Sequence, residues 1–217
     1  MTMKGILNNI REPKETDSAV LSVLCSAALL LAGAALGAFS KWLDNLALNS
    51  SVWWHRPLEL LDLRNVFSGL AVWLVLCLCI AVFSRTPGKA AVNCLLFLGG
   101  MCAVYHLWTV VFSSFNPRGY MMIWYALTLL SPVFAVACWY GKGEHPVSVV
   151  IDALILAVLV KCCFSVGWVY FYPLSLLNTL LFLGGAAALY VSPRQIGIAA
   201  AAGLALAVAF GNVLPLE

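Results

Sequence analysis

Long, nearly uninterrupted apolar runs are the feature of this 217-residue chain that most constrains its fold. Each run is close to the roughly 20 residues that an α-helix needs to cross the hydrocarbon core of a bilayer. Only 10% of the residues are charged, whereas soluble domains carry roughly 25%. The sequence therefore predicts an integral membrane protein that crosses the bilayer several times.

The length and continuity of the runs predict helices rather than a barrel. In lipid the backbone must satisfy its own polar groups, so only helices or closed barrels span a membrane. Barrel strands would alternate in polarity over about ten residues, whereas these runs are continuous. We predict an all-α fold, a polytopic transmembrane helix bundle with seven spans, or six if one of the last two segments does not cross. The spans are placed at residues 19–39, 66–83, 90–112, 120–140, 147–166, 173–191 and 196–214.

The chain is predicted to divide into a short polar segment and one membrane domain. Residues 1–18 form a cytoplasmic N-terminal segment, and residues 19–217 form a single transmembrane helical domain. Between the first two spans, residues 40–64 mix tryptophans with charged residues, a composition typical of the membrane–water interface. We expect one or two short amphipathic helices there, the second starting at Pro57.

The basic residues predict the orientation, because loops on the cytoplasmic side carry an excess of Lys and Arg. With a cytoplasmic N-terminus, seven basic residues lie inside and four or five lie outside. The inner set is Lys4, Arg11, Lys14, Arg85, Lys89, Lys142 and Arg194. We expect the cell (plasma) membrane as the location.

Polar and aromatic residues at the outer ends of the predicted spans form the candidate ligand site. Small-molecule pockets combine aromatic walls with a few polar anchors. The candidates are Asp44, Asp62, Arg64, His106, Trp108, Arg118, Tyr120 and Lys161. The alternative is an ordinary interfacial belt of aromatic residues with cations that reach outward to the headgroups.

Asp152 is a separate candidate because it lies inside the fifth predicted span. An acidic residue at membrane depth is expensive, so it is a functional candidate by default. Lys161 is nine residues further along, which places it on the opposite face of the same helix. The two side chains are therefore not expected to pair, and Asp152 has either a proton or ion role or a solvated position near the inner interface.

Several other functions are not expected. The basic residues are scattered and form no nucleic-acid patch. The eight cysteines lie in or beside apolar runs, where cysteine behaves as a small hydrophobe, and neither they nor the histidines have the spacing of metal ligands. The sequence contains no catalytic motif, so we predict no enzyme, metal or cofactor; a nucleotide-binding loop is also missing.

The first span is rich in small residues, with Gly33 and Gly37 spaced to let another helix approach closely. Three runs resemble a family of small uncharacterised multi-pass membrane proteins of Gram-positive bacteria, which has no known activity. They are residues 36–44 (LGAFSKWLD), 64–68 (RNVFS) and 84–93 (SRTPGKAAVN). In size and first helix the chain is also similar to the substrate-capture (S) components of energy-coupling-factor transporters. That resemblance implies about six helices, an outer ligand site and partner docking through Gly33 and Gly37.

These observations favour a small solute-binding or transport subunit with an outward-facing aromatic and polar pocket. The expected partners are the lipid bilayer, a small-molecule solute, and either other membrane subunits or further copies of the chain. The alternative is a structural or regulatory membrane protein that acts by helix–helix contacts without a ligand. A third hypothesis is an intramembrane enzyme that uses Asp152 or His106.

Overall fold

The computed structural model describes residues 3–14, 18–47, 51–112 and 118–210, which form a helical bundle with one small hairpin. The helices are α1 (Met3–Ile10), α2 (Ala19–Asn45), α3 (His55–Leu60), α4 (Leu63–Ser68), α5 (Ala71–Phe83), α6 (Pro87–Phe112), α7 (Arg118–Gly141), α8 (Pro146–Cys163), α9 (Leu176–Leu189) and α10 (Pro193–Ala209). The strands are β1 (Phe164–Val166) and β2 (Phe171–Pro173). The all-α prediction fits the described residues, apart from this hairpin.

Each of the seven predicted spans overlaps one apolar helix, and these helices are α2 and α5 to α10. Four of them, α2, α6, α7 and α8, are long and apolar enough to cross a membrane. The other three are shorter; α5 has 13 residues and is therefore about 20 Å long, against a hydrocarbon core of about 30 Å. The structure thus supports a multi-pass membrane protein, while the number of crossings stays a prediction.

The hairpin moves two predicted boundaries. The fifth span was expected to reach residue 166, but α8 ends at Cys163 because the chain turns into β1. Pro173, expected in the first turn of the sixth span, instead ends β2 opposite Phe164. The Phe164 and Phe171 rings stack with their centroids 4.9 Å apart. Aromatic and β-branched residues suit a strand pair, and this local preference ends the helix early.

The predicted interfacial segment at residues 40–64 begins later than expected, because α2 continues to Asn45; the expected short helices follow it as α3 and α4. Helix α3 begins at His55, so Pro57 is its third residue rather than its first. Asp62 separates α3 from α4 in the left-handed conformation, with φ of 50°. Arg64 donates a hydrogen bond to the carbonyl of Leu46 and so ties α4 to the end of α2. The position of this segment at a membrane interface stays a prediction.

Helices α2 and α6 run parallel to each other at the edge of the bundle, with their backbones in contact. A Cβ atom on Gly37 would lie 2.5 Å from the carbonyl oxygen of Met101, and one on Gly33 would overlap the carbonyl of Phe97. From the other side, a Cβ on Gly100 would overlap the carbonyl of Leu30. The glycine face of α2 is therefore filled by α6 of the same chain.

Two hydrogen bonds fix the register of this parallel pair at its two ends. Ser26 donates to the side-chain carbonyl of Asn93 over 2.7 Å near the start of both helices. Tyr105 donates to Asp44 over 2.7 Å near their far ends. Helix α5 lies centrally and packs against α6, α7, α8 and α9, while α10 packs against α8.

Substitution at adjacent glycines of α6 tests the close α2–α6 contact. Gly100→Ala should lower the stability by about 1–3 kcal/mol, because the added methyl group overpacks the interface. Gly99→Ala is the matched control, since a Cβ there meets nothing within 4 Å, and it should raise the stability by up to about 1 kcal/mol. Thermal unfolding of the purified variants measures both effects. Equal melting temperatures for the two variants would contradict the contact.

Candidate functional site

A cavity of about 300 Å³ lies between α5, α6, α7 and α8. An engineered cavity of about 150 Å³ in a soluble protein stays dry and binds benzene, so this space is large enough for a bigger apolar group. Its walls are Leu70, Trp73, Leu74, Cys77, Leu78, Cys94, Leu98, Trp124, Leu127, Ser131, Phe134, Ala135, Cys138, Ile155, Val158 and Leu159. Nearly all of these side chains are aliphatic, aromatic or thiol groups.

The few polar groups in the cavity wall are turned toward backbone carbonyls. Ser131 donates to the carbonyl of Thr128 over 2.8 Å. The Cys94 thiol donates to the carbonyl of Cys77 over 3.3 Å. Because these donors are already satisfied, the cavity offers an occupant dispersion and hydrophobic contact rather than hydrogen bonds. Its chemistry therefore suits a hydrocarbon-rich molecule.

The cavity reaches the outer surface of the bundle between α7 and α8. Phe134 of α7 and Val158 of α8 line it, and their side chains are 56% and 42% exposed. In a membrane that surface faces lipid tails. At these two residues the apolar wall of the cavity continues into the apolar outer face of the bundle.

Two tryptophans close the end of the cavity that lies toward the predicted outer side. Trp73 and Trp124 line both the large cavity and a second space of only about 10 Å³. Their ring centroids are 6.3 Å apart, and the rings are nearly perpendicular. Trp73 is held by a 3.0 Å hydrogen bond from its indole nitrogen to the carbonyl of Phe67. The smaller space has room for about one water molecule.

Asp44 organises the polar cluster above these tryptophans. Its carboxylate accepts hydrogen bonds from Tyr105 over 2.7 Å and from Ser68 over 3.2 Å. The Lys41 ammonium lies 3.9 Å from the same carboxylate and 5.0 Å from the centre of the Tyr105 ring. Asp44 thus joins α2, α4 and α6. The ring of Tyr120 completes the cluster, 6.4 Å from that of Tyr105.

The other predicted ligand residues are distributed around this end rather than gathered in one pocket. Asp62 accepts a 2.8 Å hydrogen bond from Asn65. His106 is hydrogen-bonded to Tyr125, and the Trp108 ring packs 5.3 Å from that of Phe112. Arg64 binds the end of α2 as described above, and Lys161 lies in the last turn of α8.

Arg118 is the first residue of α7, and its side chain lies outside the described part of the structure. Among the predicted ligand residues, Asp44 and Tyr120 share Tyr105 as a neighbour, Asp44 through a hydrogen bond and Tyr120 through its ring. The space beside them is about 10 Å³, too small for a solute. The larger cavity lies deeper, on the other side of the two tryptophans.

Asp152 lies near the opposite, inner end of the cavity and is completely buried. One oxygen of its carboxyl group accepts a 3.1 Å hydrogen bond from Gln195 of α10. The same amide nitrogen donates to the carbonyl of Gly143 over 3.1 Å, so Gln195 joins α8, α10 and the loop after α7. The nearby Lys142 donates instead to the carbonyl of Ala188 over 2.7 Å.

The N-terminal segment covers this inner end through Arg11. The guanidinium donates to the carbonyl of Trp139 over 2.6 Å and to that of Val82 over 2.9 Å, and it lies 4.3 Å from the centre of the Trp139 ring. These carbonyls end α7 and α5, where the helix dipole is negative. Burial lowers the pKa of Arg11, and burial and the Arg11 charge lower the pKa of Lys142.

Sequence reasoning missed the residues that work through distant contacts. Arg11 was assigned only to the basic inner loops, although a single arginine beside an apolar segment is a usable signal for a helix C-terminal cap. Gln195 was not singled out, although an amide in the first turn of an apolar helix is an isolated polar group. No group of three or more His, Cys, Asp or Glu residues suited to a metal ion occurs among the described residues.

A substitution at Arg11 tests the cap on α5 and α7. Arg11→Gln should lower the stability by about 1–3 kcal/mol, because it removes charge-assisted hydrogen bonds, and should speed proteolysis of the N-terminal segment. Lys14→Gln is the control, because Lys14 contributes its backbone N–H to the carbonyl of Arg85 and its side chain is exposed. Unchanged melting and proteolysis of Arg11→Gln would contradict the cap.

Comparison with known proteins gives no match to a protein-family model, to a curated protein or to a solved structure. The function is therefore proposed from the cavity and from the residues around it.

Proposed function

We propose that this membrane protein is a small solute-binding subunit that takes a lipophilic molecule from the bilayer into the cavity between α5 and α8. The observation that carries the proposal is the 300 Å³ apolar cavity that meets the lipid-facing surface beside Phe134 and Val158. Ligand pockets are usually few, preformed and mostly apolar. A binding role without catalysis fits a cavity whose polar groups already bond the backbone.

The chemistry of the wall supports a hydrocarbon-rich ligand over a polar one. A polar group without a hydrogen-bond partner costs roughly 1–3 kcal/mol when buried in a protein. A sugar or charged solute would bring several such groups into the cavity, whereas an acyl or isoprenoid chain brings none. The sequence prediction of an aromatic and polar solute pocket is thus replaced by an apolar cavity that has aromatic residues at one end.

The position of the tryptophan pair supports transport as the use of this binding. Trp73 and Trp124 separate the cavity from the polar cluster around Asp44. A change in their packing would join the cavity to the outer polar end, so that a ligand taken from lipid would gain access to a second compartment. Since the chain has no nucleotide-binding loop, energy for directional movement comes from an ion gradient or from a partner subunit.

Partner docking through Gly33 and Gly37, as the resemblance to S components implies, is not part of this proposal. That face of α2 is in contact with α6 of the same chain. A structural or regulatory role without a ligand is the competing function. If the protein binds a solute, filling the cavity reduces ligand binding; if its role is structural, filling the cavity changes only the stability.

We also propose seven crossings of the plasma membrane with a cytoplasmic N-terminus. Arg11 and Lys14 meet the loop at Arg85 and the ends of α5 and α7, so the predicted inner residues lie at one end of the bundle. In intact cells, a cysteine-free protein carrying Trp53→Cys should react with a membrane-impermeant maleimide, whereas one carrying Glu144→Cys should react only after permeabilisation. The reverse pattern would contradict the orientation.

Filling the cavity tests the binding function. Leu98→Trp should reduce labelling by a photoreactive fatty acid at least several-fold, because the larger side chain occupies the ligand volume. Leu129→Trp makes the same exchange at a side chain that is 75% exposed, and it should leave labelling unchanged. The fraction of protein cross-linked, with the labelled peptide mapped by mass spectrometry, gives the readout.

Equal labelling of the two variants, or labels spread evenly over the lipid-facing helices, would contradict the binding function. Both variants must retain the melting transition of the unaltered protein within a few degrees for the comparison to count. If Leu98→Trp unfolds, Ile155→Trp fills the same cavity from α8 and takes its place.

A further inference from the structure

Asp152 is a buried acid with an unusual lack of hydrogen-bond donors. Its side chain is 0% exposed, and it lies about two turns into α8. One carboxyl oxygen, Oδ2, accepts from Gln195, while the other, Oδ1, has no hydrogen-bond partner among the residues that the structure describes. A buried carboxylate usually accepts several donors or pairs with a cation. Neither condition is met by the contacts that the structure gives this residue.

The space beside Oδ1 decides what the carboxyl group can bind. A Cβ atom on Gly141 would lie 2.6 Å from Oδ1, and Ile151 and Ile155 supply the next contacts to that position. The neighbourhood of the free oxygen is thus a glycine backbone and aliphatic carbon. A metal cation requires a shell of several oxygen ligands, whereas the side-chain atoms named beside this position are aliphatic carbon. A proton requires no such shell.

We propose that Asp152 is a proton-binding site that is occupied at neutral pH. With the proton on Oδ1, the group is neutral and still accepts the Gln195 hydrogen bond through Oδ2. When the proton leaves to water, a full negative charge remains with a single amide donor inside the bundle. The proton therefore stabilises the junction of α8, α10 and the loop at Gly143.

The charged and titratable groups described around this site do not supply a partner for Oδ1. Lys142 acts on Asp152 electrostatically, but its ammonium donates to the carbonyl of Ala188. The other titratable groups on the neighbouring elements include Cys138 and Tyr140 of α7, Cys79 of α5, Arg194 of α10, Arg11 of the N-terminal segment, and the exposed Glu144 and His145 before α8. Cys138 and Cys79 are neutral as thiols, and Arg194 and His145 are exposed.

Proton binding here would also reach the cavity, and this extension rests on the proposed function. Ile155, Val158 and Leu159 line the cavity from the same helix, one to two turns beyond Asp152. Loss of the proton would loosen the α8–α10 junction and so change the wall that these residues form. The proton site itself does not depend on which molecule the cavity holds.

Infrared spectroscopy of the purified protein in lipid nanodiscs tests the proton site directly. At neutral pH the unaltered protein should show the C=O stretching band of one protonated carboxylic acid, shifted in heavy water and lost at high pH. The band should be absent from Asp152→Asn and present in Asp44→Asn, which removes an acid that is paired with Lys41. Gln195→Leu should shift the band, because Oδ2 loses its donor.

The proposal is overturned if the unaltered protein shows no such band at neutral pH, or if the band persists in Asp152→Asn. A band that does not move in Gln195→Leu would also overturn it. The unaltered protein and Gln195→Leu carry the test if Asp152→Asn does not fold. Fatty-acid labelling is measured separately, so an absent band together with normal labelling would remove the proton site and leave the ligand cavity in place.

Discussion

The bilayer withholds water from the interior of this protein, and the rest of the structure depends on that constraint. Polar atoms at membrane depth must find partners within the protein. Ser131 and Cys94 meet the requirement by bonding backbone carbonyls in the cavity wall. Asp44, at the predicted outer interface, is held by a tyrosine, a serine and a lysine. In the cavity wall, polar side chains donate their hydrogen bonds to backbone carbonyls. The surface that remains for a ligand is therefore apolar.

Side-chain size explains why the backbones of α2 and α6 meet, while the helices around the cavity pack against one another and still leave a space between them. Glycines at the α2–α6 contact let two backbones meet. Around the cavity, the large rings of Trp73, Trp124 and Phe134 project from α5 and α7 and hold the helix axes apart without filling the space between them. Such a void forfeits dispersion contacts and is destabilising unless it is filled. A protein that binds a lipophilic molecule recovers those contacts from its ligand.

Local pattern predicted the helices well and the site poorly, for a physical reason. Apolar runs fix where a helix lies, so α6 and α7 begin and end within three residues of their predicted positions, whereas α2 continues six residues beyond its predicted end. Asp152 could be singled out because its charge stands alone in an apolar run. Its partner Gln195 is 43 residues away, and Arg11 bonds a carbonyl 128 residues away; no local spacing encodes such pairs. The cavity depends on four helices at once, and the hairpin depends on strand pairing that a helical period does not reveal.

The central claim is that the α5–α8 cavity holds a lipophilic molecule, and native mass spectrometry of the protein released gently from its own membrane tests it most directly. The account predicts one tightly held lipophilic molecule per chain that survives extended delipidation, while the bulk bilayer lipids are lost. A bare chain, or a mixture of lipids in the proportions of the surrounding membrane, would contradict it.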